Sequence, residues 1–122
     1  AANRGAYIAE VLAHCGECHT PRNILGGAKG SLRYAGTVDG PEGDTVPNIT
    51  PDKKTGIGKW TDDEILRFLK TGVFPWDDEA GGSMAEVIEN GTSQMTDADR
   101  AALLAYLRTL KPIENILKAK KK

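Results

Sequence analysis

Apolar residues recur at helical spacing in four places along the chain, and nowhere do they alternate as in a strand. Near the start, Ile8, Val11, Leu12 and Cys15 follow the i, i+3, i+4, i+7 pattern of one helical face. Thr61-Asp62-Asp63-Glu64 reads as a capping box, with Thr61 as N-cap and Glu64 three residues on. Ile65, Phe68 and Leu69 form the stripe that follows, and Gly72 is its natural C-terminal stop. Ser83-Met84-Ala85-Glu86 reads as a second box, opening a short helix that ends by Gly91. Thr96-Asp97-Ala98-Asp99 opens the last helix, whose buried face is expected to be Leu103, Tyr106, Leu107 and Leu110, with Pro112 as terminator. Residues 20–60 lack sustained periodicity and are rich in Gly, Pro, Asn and Asp. A structureless stretch this long inside a compact domain signals a functional loop.

The chain has 122 residues, 39% apolar and 6% aromatic, with 14 Gly and 6 Pro. This predicts one domain over residues 1–112 with a thin core, followed by a basic tail over 113–122. No apolar run is long enough for an ordinary transmembrane helix. No charged and apolar leader opens the chain, and Ala1-Ala2 suits a processed end, so a removed signal peptide is expected. The net charge of -1 argues against a nucleic-acid partner. That average hides an asymmetry: residues 1–38 carry +2, residues 39–100 carry -8 and residues 101–122 carry +5. An acidic middle and a basic tail can each steer a charged partner.

The chemistry is concentrated in one short run. The only two cysteines stand in Cys15-Gly16-Glu17-Cys18-His19, which is C-x-x-C-H, the attachment pattern for c-type haem. Two thiols three residues apart can reach the two vinyl groups of one porphyrin, and the next residue offers an imidazole to the iron. A thioredoxin-like site needs a preceding strand and a βαβ context. A zinc site needs four ligands, usually in two separated pairs. A disulfide across two residues would be strained and leaves His19 unexplained. His14 adjoins Cys15 on the same side of the ring and reads as a surface or pocket-edge histidine. A haem would also supply the apolar filling that the helices lack.

His19 fills one axial position; the other can take Met, His, Lys or nothing. Met84 follows Gly81-Gly82-Ser83, a stretch that lets the backbone come close, and sits in the first turn of a helix. Met95 stands just before the Thr96 cap, where an apolar residue usually packs on its own helix. Met84 is therefore the expected ligand and Met95 the expected filler. Asp39-Gly40-Pro41-Glu42-Gly43-Asp44 lacks calcium-loop spacing and reads as a surface turn.

The order of helix, C-x-x-C-H, long loop, helix, methionine and final helix resembles a class I cytochrome c over about residues 3–112. Cys15–Asn23 (CGECHTPRN) and Pro47–Trp60 (PNITPDKKTGIGKW) resemble the haem c modules of bacterial alcohol and gluconate dehydrogenase cytochrome subunits. The resemblance implies a small all-α fold, three to five helices and long loops wrapped around one covalent haem c. It implies thioethers at Cys15 and Cys18, a proximal bond from His19 and a sixth ligand from Met84. In Pro47-Asn48-Ile49, similar to the family's P-N-L segment, the Pro47 carbonyl would accept the His19 Nδ1 proton. Trp60 resembles the tryptophan whose indole N–H reaches a haem propionate. Leu103 and Tyr106 resemble the last-helix face that crosses the first helix, with Gly5 allowing the close approach. The implied work is one-electron transfer, with no catalytic residues. It would run between a periplasmic dehydrogenase donor and an oxidase or other cytochrome acceptor. Two rivals remain: a haem c subunit or domain of a dehydrogenase complex, and an open-iron haem enzyme or gas sensor.

Overall fold

The computed structural model describes residues 2–40, 43 and 45–117. Part of the 39–44 turn (Pro41, Glu42, Asp44) and the tail Lys118–Lys122 lie outside the described residues. The α-helices among the described residues are α1 (Ala2–Tyr7), α2 (Cys15–His19), α3 (Asp62–Thr71), α4 (Gly82–Asn90) and α5 (Asp97–Thr109). Pairing of extended backbone among the described residues is confined to three isolated antiparallel bridges. No helix of the described residues is long and apolar enough to cross a membrane. The chain divides into two compact units, Ala1–Ala13 with Trp60–Thr109, and His14–Lys59 with Leu110–Lys122.

In the first unit, α1 packs on α5, and α3 packs on α4 and α5. A Cβ on Gly5 would stand 1.9 Å from the Ala102 carbonyl oxygen and 2.8 Å from the Tyr106 Cβ. Only a residue without a side chain permits this crossing. It is flanked by an Arg4–Asp99 ion pair at 3.2 Å and a hydrogen bond of 2.7 Å from the Tyr106 hydroxyl to Glu10. The Thr61 capping box forms at the start of α3: the Thr61 amide donates to Glu64 Oε1 at 2.9 Å, and the Glu64 amide to Thr61 Oγ1 at 3.1 Å. Gly72 ends α3 in the left-handed conformation at φ 78. Thr96 caps α5 through the Asp99 amide at 3.1 Å.

Two expectations are corrected here. Residues Ile8–Leu12 continue α1 as a π-helix, closed by a 2.8 Å bond from the Ala13 amide to the Ile8 carbonyl. The wider turn breaks the 3.6-residue spacing. Ile8 and Ala9 are buried, while Val11 and Leu12 are exposed. The expected second capping box does not form: Gly81 is the N-cap of α4 and Ser83 lies inside the helix.

The second unit is ordered by side chains rather than by helices. Tyr34, Ala35 and Thr50 are fully buried in a region without helical periodicity. The Asn48 amide lies at its centre. Its Nδ2 donates to Thr55 Oγ1 at 3.0 Å and to the Ile113 carbonyl at 2.7 Å. Its Oδ1 accepts from the Thr50 amide at 2.9 Å and the Thr50 hydroxyl at 2.7 Å. An asparagine side chain has two donors and two lone pairs, so all are used. Asn115 donates from its backbone to Thr55 Oγ1 at 2.9 Å and from Nδ2 to the Ala35 carbonyl at 3.0 Å. Ile113 and Asn115 lie past the boundary drawn at 112, yet both are hydrogen-bonded within this unit.

Candidate functional site

The five-residue helix α2 carries the whole C-x-x-C-H run. Residues three and four apart share a helical face, which places Cys15, Cys18 and His19 together. Both cysteines are half-buried thiols and His19 is buried. His14 precedes the helix at φ 54, exposed, with Nδ1 3.6 Å from Glu17 Oε1. At Gly16 an added Cβ would lie 3.4 Å from Tyr34 Cζ, so the buried tyrosine ring packs on this turn of α2.

The His19 ring is oriented by a hydrogen bond to the Pro47 carbonyl, with Nδ1 and oxygen 2.7 Å apart. A carbonyl can only accept, so the proton is on Nδ1 and Nε2 keeps its lone pair. Burial holds the imidazole below its ordinary pKa, against the opposing pull of the Pro47 carbonyl. The ring is therefore neutral and ready to bind a metal.

Pro47 is in turn held from two sides. Gly36, at φ 87, lies so close that an added Cβ would be 2.5 Å from the Val46 carbonyl oxygen and 2.7 Å from the Pro47 carbonyl carbon. The Gly36 amide also donates to the His19 carbonyl at 2.6 Å. Asn48 follows Pro47, and its fully used amide fixes the segment. The Asn48 side chain ties down the loop that aims Pro47. Sequence reasoning missed Gly36, Tyr34 and Asn115. Gly36 stands in the pattern Ala-Gly-Thr between apolar positions, and only its glycine identity signals a close backbone approach.

The other expected site residues lie in the first unit. Met84 is half-buried in the first turn of α4. Met95 is half-buried before α5, and its carbonyl accepts from Arg100 Nη1 at 2.6 Å. Trp60 makes edge-on contacts with Phe68, Phe74 and Trp76, at centroid distances of 5.8, 6.2 and 5.8 Å. Its carbonyl accepts from Arg108 Nη2 at 2.7 Å.

The donor set suits covalent haem c: two thiols on one helical face, beside a neutral imidazole with its lone pair on Nε2. Comparison with known proteins agrees. A cytochrome c family model matches residues 2–111. The chain belongs to the cytochrome c family. A diheme cytochrome c-type protein of Cereibacter sphaeroides is 47% identical over 112 residues, covering 91% of this chain and 36% of the relative. A fructose dehydrogenase cytochrome subunit of Gluconobacter japonicus is 44% identical over 108 residues, covering 88% and 22%. A gluconate 2-dehydrogenase cytochrome c subunit of Pantoea cypripedii is 35% identical over 113 residues, covering 88% and 25%. The chain thus spans about a third or less of the length of these relatives. The helical architecture is that of a class I cytochrome c, and the family's work is electron transfer by haem c, not catalysis of a substrate reaction.

Proposed function

We propose that this chain is a one-electron carrier module holding a single haem c, with His19 and Met84 as axial ligands. The carrying observation is the C-x-x-C-H run on one helix, with the His19 proton committed to Pro47. Cys15 and Cys18 would hold the porphyrin by thioethers, and the only two cysteines of the sequence allow one such attachment. When bound, the haem supplies an iron that cycles between ferric and ferrous states. His19 offers Nε2, and the Pro47 carbonyl orients its ring and raises its basicity. The soft thioether of Met84 favours the ferrous state and raises the potential. Bound in this way, His19 and Met84 would leave a substrate no place on the iron. Electrons then cross near Cys15 and Cys18 during brief docking.

The module is proposed to work in the periplasm, between a dehydrogenase donor and a respiratory acceptor. A second reading is favoured by relatives several times longer than this chain: it acts as one haem module of a dehydrogenase cytochrome subunit. A stable stoichiometric partner on gel filtration of native extract separates the two readings.

Mass spectrometry tests the haem content. The mature protein should exceed its polypeptide mass by one haem that survives acid–acetone extraction. A count of two reactive thiols in the exported protein would remove the attachment reading. Rapid binding of CO to the reduced protein would favour the open-iron alternative over His/Met ligation.

A further inference from the structure

Two exposed apolar tips, one in each unit, remain unused by the electron-transfer reading. Ile24 is 101% exposed and Leu25 92% exposed, yet the loop that carries them is tightly built. Arg22 and Ala28 form an antiparallel bridge, closed by a 2.8 Å bond from the Lys29 amide to the Pro21 carbonyl. Asn23 Oδ1 accepts from the Leu25 amide at 2.9 Å and the Gly27 amide at 3.0 Å. Arg22 Nη1 donates to the Gly26 carbonyl at 2.8 Å. The shoulders are basic: Arg22 and Lys29 stand at the bridge, and residues 20–38 contain no carboxylate. Arg22 and Lys29 also line a cleft of about 630 Å³ together with Cys18, where Glu17 and Asp39 stand as well.

The second tip is built the same way with the opposite charge. Val73 and Glu79 form an antiparallel bridge, and the Phe74 amide donates to the Asp78 carbonyl at 2.7 Å. Arg67 Nη2 staples the turn, donating to the Phe74 carbonyl at 3.1 Å and Asp77 Oδ1 at 3.0 Å. Trp76 stacks on Phe74 at 4.8 Å and 7°, and is still 60% exposed. Its shoulders are Asp77, Asp78 and Glu79, and residues 72–90 hold five carboxylates and no basic side chain.

We infer that the Ile24–Leu25 tip of one copy docks on the Trp76 platform of a second copy of this chain. An apolar centre with rims of opposite charge has the composition of a specific contact. Both tips are fixed by hydrogen bonds before they meet, so little ordering entropy is lost. Each copy carries one patch of each kind, so the contact forms between copies and association grows with concentration. Because the basic tip borders the Cys18 cleft, the contact brings a second copy close to the haem attachment point. Association itself is independent of the electron-transfer reading; only its use for electron exchange between copies rests on it.

Sedimentation of the haem-loaded full chain tests this at low ionic strength over a range of concentrations. The average mass should rise with concentration and return to monomer near 1 M salt, where screening acts within about 3 Å. The double variant Ile24→Ser/Leu25→Ser and the single variant Trp76→Ser should each weaken association about tenfold or more, with unchanged visible spectra. Lys29→Glu and Glu79→Lys should each weaken it alone and restore it when mixed. A monomer at all concentrations, or association that survives in both tip variants, overturns the contact. Binding of the wild-type tip to phosphatidylglycerol vesicles without self-association overturns it in favour of a lipid surface. Salt-sensitive association without electron self-exchange upholds the contact and removes only its use for electron exchange between copies.

Discussion

His19 Nδ1 and the carbonyl oxygen of Pro47 lie 2.7 Å apart, and this one bond leaves Nε2 as the ring nitrogen with its lone pair available. The bond spans 28 residues of sequence, so its geometry is only as firm as the loop between them. Gly36 and Asn48 supply that firmness. One lets the backbone come within reach of Pro47, and the other ties the residue after it to Thr50, Thr55 and Ile113.

Asn48→Ala should therefore be costly. It removes a buried side chain whose two donors and two lone pairs are all used, and it leaves buried partners unsatisfied. The expected loss is about 2–4 kcal/mol, since each stranded buried polar group costs roughly 1–3 kcal/mol and some will re-pair. Denaturant midpoints would measure it. The potential should also shift, because Pro47 loses its support; an unchanged midpoint would show that the network is dispensable.

Gly5→Ala probes the helix crossing. The new methyl would meet the Ala102 carbonyl oxygen at 1.9 Å, and backbone cannot swing aside as a side chain can. Forced overpacking of this kind typically costs about 1–3 kcal/mol. Thermal unfolding should show the loss, and hydrogen exchange should place it in α1 and α5. Tolerance of alanine would mean that the two helices separate at little cost.

Asp52 gives a pH signature. The Thr55 amide at 2.7 Å and the Thr55 hydroxyl at 2.8 Å, then the Lys54 amide, hold its carboxyl below the ordinary value of 3.8. A depressed acid contributes stability above its unfolded pKa and loses it as pH falls through its folded pKa. Asp52→Ala should thus be less stable than wild type at neutral pH. The gap should persist down to about pH 4 and close at more acidic values. A gap that stays constant through the acid range would assign the effect to packing rather than to charge.

The helical part of the fold was legible because local chemistry and tertiary structure agree there. Thr61 with Glu64, Gly72 and Thr96 each act within four residues, and each is found where the pattern puts it. Ser83 with Glu86 has the same pattern but no cap forms, because α4 begins two residues earlier, at Gly82 with Gly81 as its N-cap. Val11 and Leu12 escape the predicted face because five residues wind as a π-helix, which no 3.6-residue template anticipates. Residues 20–60 were opaque for a different reason. Their order comes from long-range side-chain bonds, such as Asn48 to Ile113 and Asn115 to Ala35, which leave no periodic trace. The buried Arg100 was missed likewise: it holds the Thr92 and Met95 carbonyls at 3.0 and 2.6 Å, a duty that charge alone does not advertise. In the site, the C-x-x-C-H run was legible as chemistry, while Gly36 was visible only as one glycine among fourteen.

Met84→Ala separates a carrier from an open-iron protein. With the thioether bound, oxidised wild-type protein should show the weak near-infrared band of sulfur-to-iron charge transfer, and the reduced form should bind CO slowly. Removing the sulfur should erase the band, yield a high-spin spectrum, speed CO binding and lower the potential. Met84 is half-buried, so its packing loss should fall below the roughly 2–5 kcal/mol of a fully buried methionine, and the lost bond adds to that. Met95→Ala is the control, because Met95 precedes the Thr96 cap and its carbonyl, which the mutation keeps, is what Arg100 holds. That variant should lose some packing stability and retain the band. If Met95→Ala erases the band while Met84→Ala keeps it, the two assignments exchange. If neither changes the spectrum, the iron has no methionine ligand and the open-iron reading takes its place.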